Sequence, residues 1–145
     1  MQGICALANT RPQPGATAAN ATLDGCFHLH DRLRAMGADY SSQQVSDLLS
    51  RGEIQLIDVR AAHEHEAGRI AGDRLVELPR LAAEVETIDR SRPVVFYCRS
   101  GSRSAMAAEA FAQAGFDAHN MIGGLLDWDA AGLPLEPEGG YVADA

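Results

Sequence analysis

Residues 93–104 read Pro-Val-Val-Phe-Tyr-Cys-Arg-Ser-Gly-Ser-Arg-Ser, and they pass from a hydrophobic run into a polar, glycine-containing loop. The run from Pro93 to Tyr97 is β-branched and aromatic, which is typical of a buried strand. The alanine-rich residues from Ser104 to Ala114 predict a helix that ends at Gly115. The stretch therefore predicts a strand–loop–helix unit, with Cys98 at the carboxyl end of the strand.

The same alternation continues on both sides of this unit. Hydrophobic runs predict further strands at 54–59, 75–78 and 118–121, and apolar residues at helical spacing predict helices near 42–51, 61–67, 81–88 and 125–131. Strands that alternate with helices are typical of parallel sheets. We therefore expect an α/β fold, an open parallel β-sheet flanked by helices on both faces.

Composition divides the 145 residues into three parts. Residues 1–37 show no sustained periodicity, so we expect an N-terminal extension that is partly flexible, with a short helix at 24–36. Residues 38–135 carry the regular pattern and fit one domain. Residues 136–145 form an acidic C-terminal tail that we expect to be mobile.

Charge and cysteine content exclude several classes of function. The net charge is −8, and all twelve basic residues are arginine. We therefore expect no nucleic-acid or membrane partner, and the absence of lysine excludes Schiff-base chemistry. The sequence shows no apolar run of the ~20 residues that span a bilayer and no secretory signal. Because Cys5, Cys26 and Cys98 do not resemble a disulfide framework, we expect a reducing, cytoplasmic setting.

The loop from Cys98 to Arg103 is suited to activate a thiol. A short glycine-containing turn between a strand and a helix lets several backbone N–H groups point at one spot, which creates an anion-binding nest. The following helix N-terminus adds partial positive charge, and Arg99 and Arg103 add two formal charges. We therefore expect the pKa of Cys98 to lie below its ordinary value. The alternative is a buried structural thiol, which would not need these neighbours.

The spacing of the loop distinguishes two classes of enzyme. Cysteine-based phosphatases have an arginine six residues after the cysteine, where it grips two phosphate oxygens. Here Ser104 occupies that position, and Arg103 comes one residue earlier. The loop is one residue short for phosphate, and its smaller size favours a sulfur atom carried on Cys98.

Three separated motifs resemble the rhodanese family of sulfurtransferases. Residues 57–70, Ile-Asp-Val-Arg-Ala-Ala-His-Glu-His-Glu-Ala-Gly-Arg-Ile, are similar to the family signature Asp-x-Arg…Glu…Gly-His-Ile. Residues 98–104 are similar to its active-site loop. Residues 123–128, Gly-Gly-Leu-Leu-Asp-Trp, and 132–135, Gly-Leu-Pro-Leu, are similar to its closing segment. The resemblance spans about residues 38–135 and implies a single-domain, rhodanese-like fold.

The resemblance implies a double-displacement reaction with Cys98 as the catalytic nucleophile. The Cys98 thiolate would take the outer sulfur of a donor such as thiosulfate, and cyanide or a thiol, including thioredoxin or glutathione, would remove it. The loop would bind the substrate through Arg99, Ser100, Gly101, Ser102, Arg103 and Ser104. We expect no cofactor and no metal. The alternative from another class is a persulfide carrier or adaptor module that serves a protein partner.

The charged residues near the first motif are expected to support the fold. Asp58 and Arg60 alternate at a strand end, which favours a structural ion pair over a catalytic role. Glu64 is expected to contact Arg60 or Arg69 in the same way.

Two histidine clusters could suggest a metal. His63 and His65 lie two positions apart, so they do not share a helix face, and we expect them in a solvated loop. Cys26, His28 and His30 would converge only on an extended strand and lack a fourth ligand in sequence. We expect neither cluster to bind zinc.

Overall fold

The computed structural model describes residues 39–145, so the predicted extension at 1–37, its helix at 24–36 and the Cys26 cluster fall outside the described residues. The strands are β1 (Gln55–Asp58), β2 (Arg74–Leu75), β3 (Val94–Tyr97) and β4 (Ala118–Asn120). The helices are α1 (Ser42–Ser50), α2 (Ala62–Ala67), α3 (Leu81–Glu84), α4 (Ser102–Gln113) and α5 (Gly124–Ala130), and the turns Leu78–Arg80 and Val85–Thr87 are 3-10 helices.

The four strands form one parallel sheet in the order β2-β1-β3-β4. Strand β3 is central, and all four of its residues are buried. Val94 and Phe96 face a core cluster with α3 and α4, whereas Val95 and Tyr97 face a second cluster with α1 and α5. A central strand that is hydrophobic on both faces is what a parallel sheet covered by helices requires. The predicted α/β fold is thereby confirmed.

Three elements differ from the sequence-based expectation by more than one residue. Strand β2 contains only Arg74–Leu75, because the chain then enters the 3-10 turn at Leu78–Arg80. The predicted helix at 81–88 is one α-helical turn followed by a second 3-10 turn. Helix α4 begins at Ser102, two residues before the predicted start, because Gly101 takes a left-handed backbone conformation (φ 105°) that turns the chain early.

The acidic tail, predicted to be mobile, packs along the domain in the structure. Glu136 and Arg69 exchange two backbone hydrogen bonds of 2.8 Å. Further along, the N–H of Tyr141 donates to Ala67 O at 3.0 Å, and Val142 packs against the core cluster of α1 and α5. These contacts bring the last residues of the tail towards the loop that follows β3.

Within residues 39–145, none of the helices has both the length and the hydrophobicity that crossing a bilayer requires.

Candidate active site

Cys98 lies directly after β3, on the sheet face that α4 covers. The chain makes its turn over Arg99–Gly101 and enters α4 at Ser102, so the first turn of the helix forms part of the loop. Cys98 is buried with an exposed fraction of 0%. The carboxyl end of the central strand and the N-terminus of a twelve-residue helix therefore meet at one sulfur atom.

Hydrogen-bond donors of the loop surround this sulfur. The N–H of Gly101 lies 3.1 Å from Cys98 Sγ, and the hydroxyl of Ser104 lies 3.4 Å from it. Burial alone raises the pKa of the Cys98 thiol, but the Ser104 hydroxyl and the backbone N–H groups of Ser104, Gly101 and Ser100 outweigh it. The pKa of Cys98 is therefore lowered, in the direction that the sequence predicts.

Helix α5 fixes the other side of the loop. The N–H groups of Leu125 and Leu126, in the first turn of α5, donate to the carbonyl oxygens of Cys98 and Arg99 at 2.9 and 3.0 Å. The approach is so close that a Cβ on Gly124 would lie 2.5–2.6 Å from the backbone of Cys98 and Arg99. The carbonyl groups of Cys98 and Arg99 point towards α5, and the N–H groups of the loop consequently point towards the sulfur.

Arg103 is held by a buried carboxylate from α2. Its two terminal nitrogens each lie 3.0 Å from an oxygen of Glu64, whose side chain is 1% exposed. Burial raises the pKa of Glu64, yet the hydrogen bond from Arg103 and the N–H of Ala61 leave it lowered overall. The hydrogen-bonded partner of Glu64 is thus Arg103 and not Arg60 or Arg69, because α2 turns Glu64 towards the start of α4. The charge of the expected partner Arg60 still contributes to the lowered pKa of Glu64.

Arg99 is turned towards the C-terminal tail. Its Nε donates to the carbonyl oxygen of Ala143 at 3.2 Å, and Nη2 lies 3.3 Å from the carboxylate of Asp144. The charge of Arg103, in contrast, interacts with that of Cys98 in addition to that of Glu64. Both arginines of the loop therefore have a carboxylate partner, and the donors nearest the sulfur are neutral.

The serines of the loop differ in their placement. Ser100 and Ser102 are exposed, whereas Ser104, in the first turn of α4, is buried against Cys98. The Ser104 hydroxyl also lies 2.5 Å from Asn120 Oδ1, at the carboxyl end of β4. Asn120 is not among the residues predicted from the sequence, although its place at the end of the neighbouring predicted strand could have drawn attention to it.

Asp58 and Arg60 form a buried ion pair at the carboxyl end of β1. Arg60 Nε and Nη2 lie 2.9 and 2.7 Å from the two Asp58 oxygens, and both side chains are fully buried. Arg60 Nη2 also donates to Gly68 O at 2.7 Å. The pair joins the end of β1 to the end of α2, the helix that carries Glu64.

The predicted solvated loop is wrong for both histidines, because His63 and His65 lie in α2. His63 is exposed there, whereas His65 is half-buried and belongs to the same network as Asp58. His65 Nδ1 lies 2.9 Å from Asp58 Oδ2 and 3.6 Å from Asp73 Oδ2. These three side chains place potential metal ligands within 4.8 Å of one another. However, the Arg60 guanidinium already neutralises Asp58, and a cation would have to compete with it, so the geometry favours a structural network.

Comparison with known proteins gives three findings. A family model described as a Rhodanese-like domain matches residues 41–131. A protein of Allochromatium vinosum named sulfurtransferase is 33% identical over 104 residues, which are 70% of this chain and 97% of that protein. The HTH-type transcriptional regulator Rv0324 of Mycobacterium tuberculosis is 35% identical over 97 residues, 63% of this chain, and this match spans only 42% of the regulator.

The fold is similar to a crystal structure of a rhodanese-related protein from Thermoplasma volcanium. The TM-score is 0.63 at 24% sequence identity, and the match covers 67% of this chain and 95% of that one.

Proposed function

Because the chain belongs to the family of rhodanese-like domains, we propose that it is a sulfurtransferase that carries sulfane sulfur as a persulfide on Cys98. The observation that carries this proposal is the convergence of the Ser104 hydroxyl and three backbone N–H groups on the Cys98 sulfur. Such a cradle stabilises one negative charge on a thiolate, and it equally stabilises the negative charge of a persulfide.

The first half-reaction loads the sulfur. The Cys98 thiolate attacks the outer sulfur of thiosulfate, the new S–S bond forms, and the bond to the sulfite group breaks. Sulfite leaves with the bonding electron pair, and the transferred sulfur keeps its negative charge, so the persulfide carries the same charge of −1 as the thiolate that it replaces. Two covalent half-reactions replace one difficult transfer, which is the general advantage of nucleophilic catalysis.

The second half-reaction unloads the sulfur. Cyanide or the thiolate of an acceptor attacks the terminal sulfur, and the Cys98 thiolate leaves as the site returns to its starting state. Glutathione and the thioredoxin active site are acceptors of the required chemistry. A thiolate that cycles in this way needs a reducing compartment, and we propose the cytoplasm.

We assign the loop side chains to substrate binding. Arg103, which Glu64 holds in place, is positioned to balance the charge that develops on the leaving sulfite. Arg99 would bind an anionic donor after exchanging its contact with Asp144. Asp58, Arg60 and Glu64 support the loop from behind and would not contact the donor.

The direct test is the intact mass of the protein after incubation with thiosulfate. We expect the wild type to gain the mass of one sulfur atom and to lose it on addition of cyanide. Cys98→Ser should gain none, while its unfolding transition stays within the range of the wild type. A Cys98→Ser protein that still acquires sulfur, or a wild type that acquires none, would refute the assignment.

The same protein distinguishes an enzyme from a persulfide carrier. Loaded protein is mixed separately with cyanide, glutathione and reduced thioredoxin, and the rate of sulfur loss is measured. Fast release to a small acceptor is expected for an enzyme with turnover. Release only to a protein thiol would instead support the carrier.

A further inference from the structure

The amide of Asn120 lies behind the hydroxyl group that contacts the Cys98 sulfur. Ser104 Oγ is 3.4 Å from Cys98 Sγ and 2.5 Å from Asn120 Oδ1. Ser104 is fully buried, and Asn120 is only 7% exposed. The three side chains form a short line of polar groups, with the sulfur at one end and the amide at the other.

The backbone holds Asn120 in this position. Its carbonyl oxygen accepts the N–H of Tyr40 at 3.0 Å, and its own N–H lies 3.3 Å from the Asp39 carboxylate. In the sheet, Asn120 pairs with Phe96, two residues before Cys98. Reversal of the side-chain amide would exchange its oxygen and nitrogen without moving this backbone.

The number of protons on Ser104 limits what the line can do. A hydroxyl has one proton to donate, so Ser104 cannot donate fully to Cys98 and Asn120 at the same time. While the sulfur is a thiol, its S–H can donate to Ser104 Oγ, and Ser104 can donate to Asn120 Oδ1. The Ser104 hydroxyl then has a matched partner on each side.

Ionisation of the sulfur reverses the requirement. Once the proton has left for solvent, the Ser104 O–H turns to the thiolate, and no proton remains between Ser104 Oγ and Asn120 Oδ1. Two acceptor oxygens about 2.5 Å apart repel each other. If the amide reverses, Nδ2–H donates to Ser104 Oγ, and the Ser104 hydroxyl again has a matched partner on each side.

We propose that Asn120 is a positioning residue, which reverses its amide so that Ser104 accepts from the Cys98 thiol but donates to the thiolate and to the persulfide. The persulfide part rests on the proposed function, whereas the thiol and thiolate part does not. An amide meets this requirement because it carries a donor and an acceptor, whereas an ionised carboxylate of the same shape has only acceptors.

The charged side chains near Cys98 have partners other than the sulfur. Arg103 of α4 is paired with Glu64 of α2, and Arg99 is paired with Asp144 of the tail. The carboxylate of Asp39 lies at the backbone N–H of Asn120. Substitutions at positions 104 and 120 leave all of these charged side chains in place. The contribution of these side chains to the pKa of Cys98 therefore cancels when the variants are compared with the wild type.

The test measures the pKa of Cys98 by carbon-13 NMR of its β-carbon, which needs no reagent to reach the buried sulfur. We expect Asn120→Asp to raise this pKa by about one to two units, because the carboxylate has no N–H to donate to Ser104. The hydrogen bond from Ser104 to the Cys98 thiolate then loses its support. Ser104→Ala should raise the pKa similarly. The control is Ser42→Ala, which removes a buried hydroxyl that has no hydrogen-bond partner among the described residues and should leave the pKa unchanged.

The double variant separates the proposed route from a direct charge effect. If Asn120 acts through Ser104, Asn120→Asp should raise the pKa at most half as much in the Ser104→Ala background as in the wild type. An equal rise in both backgrounds would mean that the new carboxylate acts through space, and this result would overturn the proposal. No rise in the wild-type background would also overturn it.

A second measurement uses the wild type, in case the substituted proteins do not fold. The side-chain amide of Asn120 is followed by nitrogen-15 NMR across the titration of Cys98. Its proton signals should change with the pKa of the thiol, and Cys98→Ala should abolish the change. Amide signals that ignore the thiol would refute the proposal. Neither measurement involves sulfur transfer, so a failure of the proposed function would be seen separately in the mass experiment.

Discussion

Substituting Gly124 tests how closely α5 must approach the loop. The residue has a φ of 61°, and a Cβ there would lie 2.5 Å from Arg99 O and 2.6 Å from Cys98 O. Real Cβ atoms do not come this near to backbone atoms, so Gly124→Ala must move α5 and the loop apart. The hydrogen bonds from the start of α5 to the Cys98 and Arg99 carbonyls then lengthen or break.

Gly132 provides a matched control for this substitution. Its φ is 77°, but a Cβ at this position would meet no described atom within 4 Å beyond its own residue and its two chain neighbours. Gly132→Ala therefore carries the cost of a left-handed alanine, about 1–2 kcal/mol, without the clash. Gly124→Ala adds the loss of two backbone hydrogen bonds at about 1 kcal/mol each. We expect it to lower the free energy of unfolding by roughly 3–4 kcal/mol.

The assay combines urea unfolding with the rate of persulfide formation from thiosulfate. Gly132→Ala should lower stability and leave the rate near that of the wild type. Gly124→Ala should lower stability further, and it should slow persulfide formation at least tenfold, because displaced N–H groups no longer hold the negative sulfur. If the two variants had the same stability and the same rate, the inferred contact between α5 and the loop would be incorrect.

Three further predictions concern charge around Cys98. Glu64→Gln should lower the free energy of unfolding at neutral pH by about 1–3 kcal/mol, since it leaves Arg103 without its partner. Because the folded state lowers the pKa of Glu64, this stabilisation is present above the ordinary glutamate pKa and is lost as the pH falls through the lowered value. The free energies of unfolding of wild type and variant, measured in urea, should therefore converge at acidic pH. Asp144→Asn should raise the rate of persulfide formation from thiosulfate by up to about fivefold, because it frees Arg99 from an exposed ion pair. An unchanged rate would mean that the tail does not restrict Arg99. The Cys98 pKa from carbon-13 NMR should lie below that of an ordinary cysteine and change by less than about 0.3 units between low and high salt, whereas a strong salt dependence would show that exposed charges control it.

The sequence predicts the frame of the site well because the frame depends on local patterns. An apolar β-branched run, a glycine and an alanine-rich segment are enough to place Cys98 between β3 and α4. The lowered pKa of Cys98 follows from the same segment, since the Ser104 hydroxyl and the N–H groups of Ser104, Gly101 and Ser100 cause it. Interactions within a few residues of each other can be read from the order of the residues.

The partners of the loop side chains could not be predicted in this way. Glu64 and Arg103 are 39 positions apart, and Arg99 and Asp144 are 45 apart. Which of several arginines meets Glu64 depends on the rotation of α2, and that rotation follows from how the buried pair of Asp58 and Arg60 ties β1 to the end of α2. Such long-range ion pairs depend on the packing of the whole domain and cannot be recognised in any short stretch of sequence.

Because Arg99 and Arg103 are both paired with carboxylates, they are not the main groups that stabilise a negative charge on the Cys98 sulfur. Two unpaired guanidinium groups would stabilise a thiolate from the solvent side, but their effect would weaken with salt. In this structure Glu64 and Asp144 compensate them, and neutral dipoles within the loop lie nearest the sulfur. Dipoles in a buried site need no rearrangement when charge moves from the thiolate to the outer sulfur of a persulfide. In the reaction that we propose, a site built in this way would hold the negative charge on the thiolate and on the persulfide alike.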